Sequence, residues 1–508
     1  MREPVGSTTI FENTSNCARR RNEDTTDVFD LVVIGAGIAG LNALYAATDY
    51  LPRTAKVLLL DEKQDAGGMW NTTYDFVRLH QPHPMFTVGD MRWDWQKPKH
   101  YLARRDEVRE HLARSLDRVA GRVHLKTSFG QVMTAREEIK TCEGYRARVV
   151  FHPVGDENAQ QIVLAKRAIY APGLNHRAAD PLALSSRLVH SITPYDLIPT
   201  LERLPDAAVY VVGGGKTGMD TILATLDQDP ARAVFLINGS GTNFLNRTKY
   251  LPTGIKRWIS GAPMSQVFRD IARFYDGDNE EETIARIRTH HSTDVASENQ
   301  AFLYGLQSED ELARVKAGLQ GCMGGYLSDV IDTPDGPSLE LRDGETAKVQ
   351  AGSIFVNCTG SFFTAPHMAE AVPCVSDQQT LVTVNGRDGF HCLTSVAGFF
   401  VAHLAYGNAL KGNGFYTLDH EALFRQNRNA WVGASATQAY MNQVLALQTL
   451  PLRLLDRCRL DLDRWYPLPR RLAGLIRILA GARADIAHCR NTLDRVAERF
   501  KVSCKPLS

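Results

Sequence analysis

Short apolar runs that end in glycine-rich turns punctuate this chain. Phe29 to Ile34 has the length and composition of a buried strand, and after a glycine turn the run Leu41 to Tyr50 has helix-forming composition. The same order returns about 180 residues later, with Ala207 to Val212, a second glycine turn and Met219 to Leu226. Further strands are predicted at Lys56 to Leu60, Arg167 to Ala171, Val234 to Ile237 and Ser353 to Gly360, and a helix at Asp106 to Val119. Helical runs are also predicted at Met264 to Tyr275, Glu280 to Thr289 and Asp310 to Leu319; they fit either a cap over a cleft or plain surface helices. From Leu445 to Phe500 leucine and arginine recur at helical spacing, as in Leu472, Leu475, Ile476 and Leu479.

The turns themselves carry chemistry. The first reads Gly35-Ala36-Gly37-Ile38-Ala39-Gly40 and the second Gly213-Gly214-Gly215-Lys216-Thr217-Gly218. At a strand-to-helix junction the first glycine permits a tight turn and the second lets backbone approach a pyrophosphate. The third lets helix and strand pack closely, while the helix start offers unpaired N–H groups to the anion. Two such turns imply two dinucleotide sites, the usual arrangement for passing hydride between a flavin and a nicotinamide. The first is read as the FAD site. Its ribose acid is expected about 20 residues on, where Asp61 closes Val57 to Leu60, with Glu62 beside it.

The fold class that follows is α/β, with two Rossmann-like dinucleotide-binding domains, the NAD(P)H domain inserted into the FAD domain, and a helical C-terminal extension. The expected divisions are a leader over 1–27, the first part of the FAD domain over 28–195 and the NAD(P)H domain over 196–352 with a helical insert at 252–320. The FAD domain returns over 353–440 and the extension occupies 441–508. Ala168 to Gly173 and Ser353 to Gly360 read as matching hinges between the domains.

Composition narrows the class. Lys and Arg number 58 against 57 Asp and Glu among 508 residues, so no long-range field favours nucleic acid. Nine cysteines without a Cys-x-x-Cys pair read as reduced thiols of a cytoplasmic protein, offering neither a metal set nor a disulfide reductase's redox pair. The polar stretch Met1 to Thr26 lacks a secretory apolar core, and Leu393 to Ala405 falls short of the roughly 20 residues that span a bilayer. The basic, amphipathic C-terminal helices fit either docking on their own domain or peripheral contact with a membrane.

After Asp61 the chain continues to Gly67-Gly68-Met69-Trp70, then Tyr74-Asp75 and Val77-Arg78-Leu79-His80. With the two glycine turns, this run resembles the flavin-containing and Baeyer–Villiger-like flavoprotein monooxygenases over roughly Val28 to Gly360. The resemblance implies that Gly35, Gly37, Ile38, Ala39, Gly40, Asp61 and Glu62 hold FAD. Gly68, Met69, Trp70, His80 and Gln81 would line it, with Ala171, Gly173, Thr359 and Gly360 at the domain exits. It assigns NADPH or NADH to Gly213, Gly215, Lys216, Thr217, Gly218 and Arg247. The activity it implies is transfer of one oxygen atom from O2 to a small organic substrate through a flavin C4a-peroxide, with no metal. His80 is the candidate catalytic residue, standing where the family often has asparagine.

Two departures leave alternatives open. The family's stretch Phe-x-Gly-x-x-x-His-x-x-x-Phe/Tyr/Trp is matched here by Leu184, Ser186, His190 and Tyr195, so only the histidine is kept in place. Past the second strand of the second domain, Ile237 to Gly241 lacks the arginines that grip a 2′-phosphate, leaving Lys216, Arg247 or Lys249 to supply charge. A flavin reductase or oxidase without oxygen transfer, and more remotely a non-enzymatic scaffold, are the rival readings.

Overall fold

In the computed structural model, Val28–Ile34 (β1) is the middle of a parallel sheet, its Leu31, Val32 and Val33 sealed from solvent. The structure describes residues 27–173, 179–296, 301–360, 373–384, 394–458 and 463–507. β1 feeds helix Ile38–Thr48 (α1), followed by Lys56–Asp61 (β2), helix Arg105–Ala120 (α2) and the strands His124–Phe129 (β3), Gln131–Thr141 (β4), Gly144–Pro153 (β5) and Gln161–Tyr170 (β6). They run in the order β3-β2-β1-β6-β5-β4, parallel from β3 to β6 and antiparallel beyond. Because β1 and β2 are parallel, the chain leaves the carboxyl end of β1 through the glycine turn and returns by α1 to the start of β2.

A second sheet begins at His190–Ile192 (β7), and continues through helix Leu197–Arg203 (α3), Val209–Val212 (β8), helix Lys216–Gln228 (α4) and Val234–Ile237 (β9). An excursion follows: Thr242–Asn246 (β10), Arg247–Tyr250 (α5), Lys256–Ile259 (α6), Met264–Phe274 (α7), Glu280–His291 (α8), Ser292–Thr293 (β11), Ala301–Gln307 (β12) and Glu309–Gly318 (α9). The chain re-enters the sheet at Leu319–Met323 (β13). It then builds a small antiparallel sheet from Leu327–Thr333 (β14), Gly336–Leu341 (β15) and Thr346–Lys348 (β16), and closes with Ile354–Asn357 (β17). The order is β13-β9-β8-β17-β7, all parallel. Leu381–Thr383 (β18) pairs with β6 of the first sheet. Thereafter come Thr394–Tyr406 (α10), Tyr416–Leu418 (β19), His420–Gln426 (α11), Arg428–Thr449 (α12), Leu452–Arg457 (α13), Leu468–Phe500 (α14) and Cys504–Pro506 (β20).

The pairing corrects the expected divisions. β7 lies before residue 196 yet joins the second sheet, with His190 opposite Ile354. β17 completes that sheet, whereas residue 353 was expected to open the return of the first; among the described residues the return is carried by β18. A four-residue apolar run has no signal for which of two parallel sheets it enters. The expected insert 252–320 and extension 441–508 pack together. Phe268, Tyr275 and Ile287 of the insert share one core with Trp431, Tyr440, Ile478 and Leu493 of the C-terminal helices. The expected leader over 1–27 lies, but for Asp27, outside the described residues. The seven described cysteines are free thiols.

Candidate functional site

The first turn has little room for side chains. Gly35 has φ +106°, a left-handed conformation open chiefly to glycine, and a Cβ there would strike the Ala171 carbonyl oxygen. A Cβ on Gly40 would strike the Gly35 carbonyl oxygen, which is the close helix–strand contact the third glycine allows. Gly37 precedes α1 in extended conformation, and Gly68 approaches it so nearly that a Cβ on Gly68 would stand 2.8 Å from the Gly37 Cα. Asp61 is buried. Its Oδ2 accepts from the Ala36 N–H at 2.5 Å and its Oδ1 from the Lys63 N–H at 2.8 Å. Glu62 points outward to Lys63 at 3.0 Å, so the inward acid of the pair is Asp61. Trp70 is buried against Phe86, whereas Met69 is half-exposed. Gln81 keeps a buried side-chain oxygen with no hydrogen-bond partner, and Gly173 has open space on its Cβ side.

The second turn repeats the geometry. Gly213 has φ +114°, and a Cβ on Gly218 would strike the Gly213 carbonyl oxygen. Gly215, the extended residue before α4, has nothing within 4 Å of where its Cβ would stand. Both helices thus start with N–H groups that no side chain caps, α4 behind an uncrowded glycine and α1 behind one that Gly68 approaches. Asn357 Oδ1 accepts from the Thr359 N–H at 3.2 Å and its hydroxyl at 2.7 Å, fixing the chain just before Gly360.

The loop between β2 and α2 runs from one turn to the other. Gly68 touches Gly37, Tyr74 donates to Asp220 on α4 at 3.1 Å, and the His80 carbonyl accepts from Arg247 on α5 at 3.1 Å. Lys216 and Asp220 form an ion pair one helical turn apart. Arg247 pairs with Glu311 on α9 at 2.6 Å. Burial, followed by the charges of Lys216 and Arg247, pushes the His80 imidazole down to about 3, with Glu311 opposing. The ring is therefore neutral at ordinary pH. Its Nδ1 accepts from the Leu306 N–H at 3.4 Å, which leaves the ring proton on Nε2. Burial raises Asp220 against the pull of Lys216. Burial also raises Glu311, but there Arg247 and Lys216 overcome it and hold the carboxyl below its usual range.

His80, Lys216 and Arg247 thus come together in one polar cluster, while Asp61 and Glu62 stay at the first turn. Arg247 lies in the cluster with its charge against Glu311. Tyr74, which the motif names without a role, completes the cluster with Asp220 and Glu311, neither of which is singled out from the sequence. A signal existed for two of them: Asp220 stands four residues after Lys216, and Glu311 is the last member of a Ser308-x-x-Glu311 capping box. His83 is instead a packing residue, its Nε2 3.3 Å from the Pro98 oxygen and its ring edge-on to Trp93. Among the described residues no group of His, Cys, Asp and Glu could hold a metal, and no helix is long and apolar enough to cross a membrane.

Residues 33–92 match the family described as NAD(P)-binding Rossmann-like domain. An uncharacterized protein of Mycobacterium tuberculosis is 29% identical over 225 residues, covering 39% of this chain and 36% of that protein. The chain therefore spans about a third of the length of the curated relatives it matches. A flavin-containing monooxygenase from Stenotrophomonas maltophilia is 16% identical over 75% of this chain and 99% of its own, with a TM-score of 0.43. OTEMO in an FAD-bound form is 15% identical over 82% of this chain and 90% of its own, with a TM-score of 0.47. The ornithine hydroxylase of Pseudomonas aeruginosa is 13% identical over 75% of this chain and 99% of its own, with a TM-score of 0.45.

Proposed function

We propose that this chain is an FAD-dependent oxidoreductase that takes hydride from NADPH or NADH and uses O2 to oxygenate a small organic molecule. The observation that carries the reading is the pair of strand–glycine–helix turns joined by one loop, whose Gly68 lies at the first and whose Tyr74 and His80 lie at the second. The residues present fit both groups: helix starts that no side chain caps for two pyrophosphates, a buried carboxylate beside the first turn, and an unpartnered Gln81 oxygen for a buried N–H.

Bound FAD would supply hydride acceptance and reaction with O2. The chain's own contribution is binding and positioning. The N–H groups opening α1 and α4 would hold phosphates, and Asp61, which stiffens the first turn through Ala36, would take a ribose hydroxyl. His80, fixed neutral with its proton on Nε2, presents a hydrogen-bond donor without adding charge to the cleft. The Lys216–Asp220–Tyr74 chain ties the loop to α4, and Arg247–Glu311 ties it to the insert, limiting water's access between them.

The test loads the purified protein with FAD, reduces it anaerobically with NADPH and with NADH, then admits oxygen in the presence of amine, sulfide and ketone substrates. The oxygenase reading expects flavin bleaching by one nucleotide and an oxygenated product, with hydrogen peroxide well below the nucleotide consumed. Peroxide equal to nucleotide with every substrate points to an oxidase, and no bleaching with either nucleotide removes the second site from the reading.

A further inference from the structure

Helix α14 divides into two halves with opposite surroundings. Its C-terminal half is docked, with Cys489, Leu493 and Val496 sealed against neighbouring helices. Its N-terminal half turns Leu468, Leu472 and Ile476 to solvent, one turn apart on one face, and Ile476 is 68% exposed. The short helix α6 lies alongside. Arg257 donates to the Trp465 carbonyl at 2.9 Å and Arg470 to the Gly261 carbonyl at 2.9 Å, clamping the two segments together. α6 and the residue before it expose Ile255, Trp258 and Ile259, the last by 76%. Single exposed apolar residues are ordinary, but six large ones on two clamped segments make a contiguous apolar face.

The charge around this face is one-sided. Residues 249–268 and 464–484 hold eight lysines and arginines and not one aspartate or glutamate, in a chain whose net charge is only +1. Helical faces of this kind, apolar residues including a tryptophan flanked by cations, lie in the headgroup region of bilayers that carry negative lipid. A second copy is a poor occupant, because a two-fold contact would set these cations against themselves. We propose that α6 and the first half of α14 form a docking surface for an anionic lipid bilayer, seating the protein on the membrane without crossing it. This inference is independent of which cofactors the two turns hold.

The test is co-sedimentation of the full-length, FAD-loaded protein with vesicles of phosphatidylcholine alone and of phosphatidylcholine mixed with phosphatidylglycerol. The expected result is binding to the mixed vesicles that falls steeply with added salt and is weak on phosphatidylcholine alone. The paired substitutions Trp258→Ser and Ile476→Ser, both at exposed positions, should weaken it about tenfold or more at unchanged melting temperature. Lys256→Glu with Arg477→Glu should abolish the preference for anionic lipid. Protein left in the supernatant with both vesicle types overturns the proposal, as does equal binding to both. Sedimentation velocity showing a dimer that the serine variants dissolve would overturn it in favour of self-association.

Discussion

Gly40 and Gly215 belong to similar motifs, yet their surroundings give them opposite tolerances. A Cβ on Gly40 meets the Gly35 backbone, so Gly40→Ala should lower stability by about 3 kcal/mol or more and shed FAD, read together by thermal unfolding and flavin content. A Cβ on Gly215 meets nothing, and the backbone there is extended, so Gly215→Ala should leave the melting temperature within a degree or two. The same methyl would stand where a pyrophosphate approaches, and KM for NAD(P)H should rise at least about tenfold. An unchanged KM would remove nucleotide binding from the second turn. His80 makes a pH prediction. Its folded form resists protonation down to about 3, while the unfolded chain takes up that proton near the ordinary value of about 6.5. Between these values the unfolded state binds more protons, so stability falls as pH drops and is fully present above pH ~6.5. Urea unfolding at pH 7 and pH 5 should therefore show a smaller acid loss in His80→Gln than in the wild type. Activity between pH 6 and 8 should carry no inflection from this ring.

Among the elements, α14 shows how packing and charge act together. Asp485 is only 2% exposed and receives Arg273 at 2.7 Å, Arg269 at 3.4 Å and the Tyr440 hydroxyl at 2.5 Å. Removing the carboxylate strands those donors, so Asp485→Ala should cost about 3–5 kcal/mol, measured by denaturant unfolding. On α12, a Cβ at Gly433 would stand 2.6 Å from the Tyr275 ring, and Gly433→Ala should cost about 1–3 kcal/mol by forcing α7 away. Neither contact was legible in the sequence, because both join residues far apart in the chain. What was legible has local causes. The spans of β1, β9, α2, α7 and α8 follow from apolar runs and periodicity, and Asp61 follows from the fixed length of a strand–helix–strand unit. The sheet that receives β7 or β17 depends on long-range pairing, and so does the meeting of His80 with Arg247. The strands β14, β15 and β16 are not read from the sequence because Ser, Asp, Thr and Glu interrupt the apolar positions of β14 and β15, and β16 is three residues long.

At the scale of the molecule, the insert and the C-terminal helices stand on one core, although about 150 residues of chain separate them. Tyr275 at the end of α7 accepts at its carbonyl from His488 and Thr492 of α14, and Arg499 pairs with Glu280 at the start of α8 at 2.7 Å. The insert also carries the Leu306 N–H, and α5 just before it carries Arg247, both of which hold His80. α14 therefore supports the site indirectly, through helices it does not share a sheet with. A chain ending at residue 463 should keep the second parallel sheet, whose core is built with its own helices α3 and α4, and the face of the first sheet where β1 and β2 pack with β5 and β6. Its insert, however, would expose Phe268, Tyr275 and Ile287. Hydrogen exchange on the truncated protein should show α7 and α8 unprotected while β1 and β8 remain slow. FAD should still bind at the first turn, but KM for NAD(P)H should rise as the wall holding His80 loosens. Full protection of α7 and α8 after truncation would mean that the insert is self-supporting and that α14 serves the surface alone.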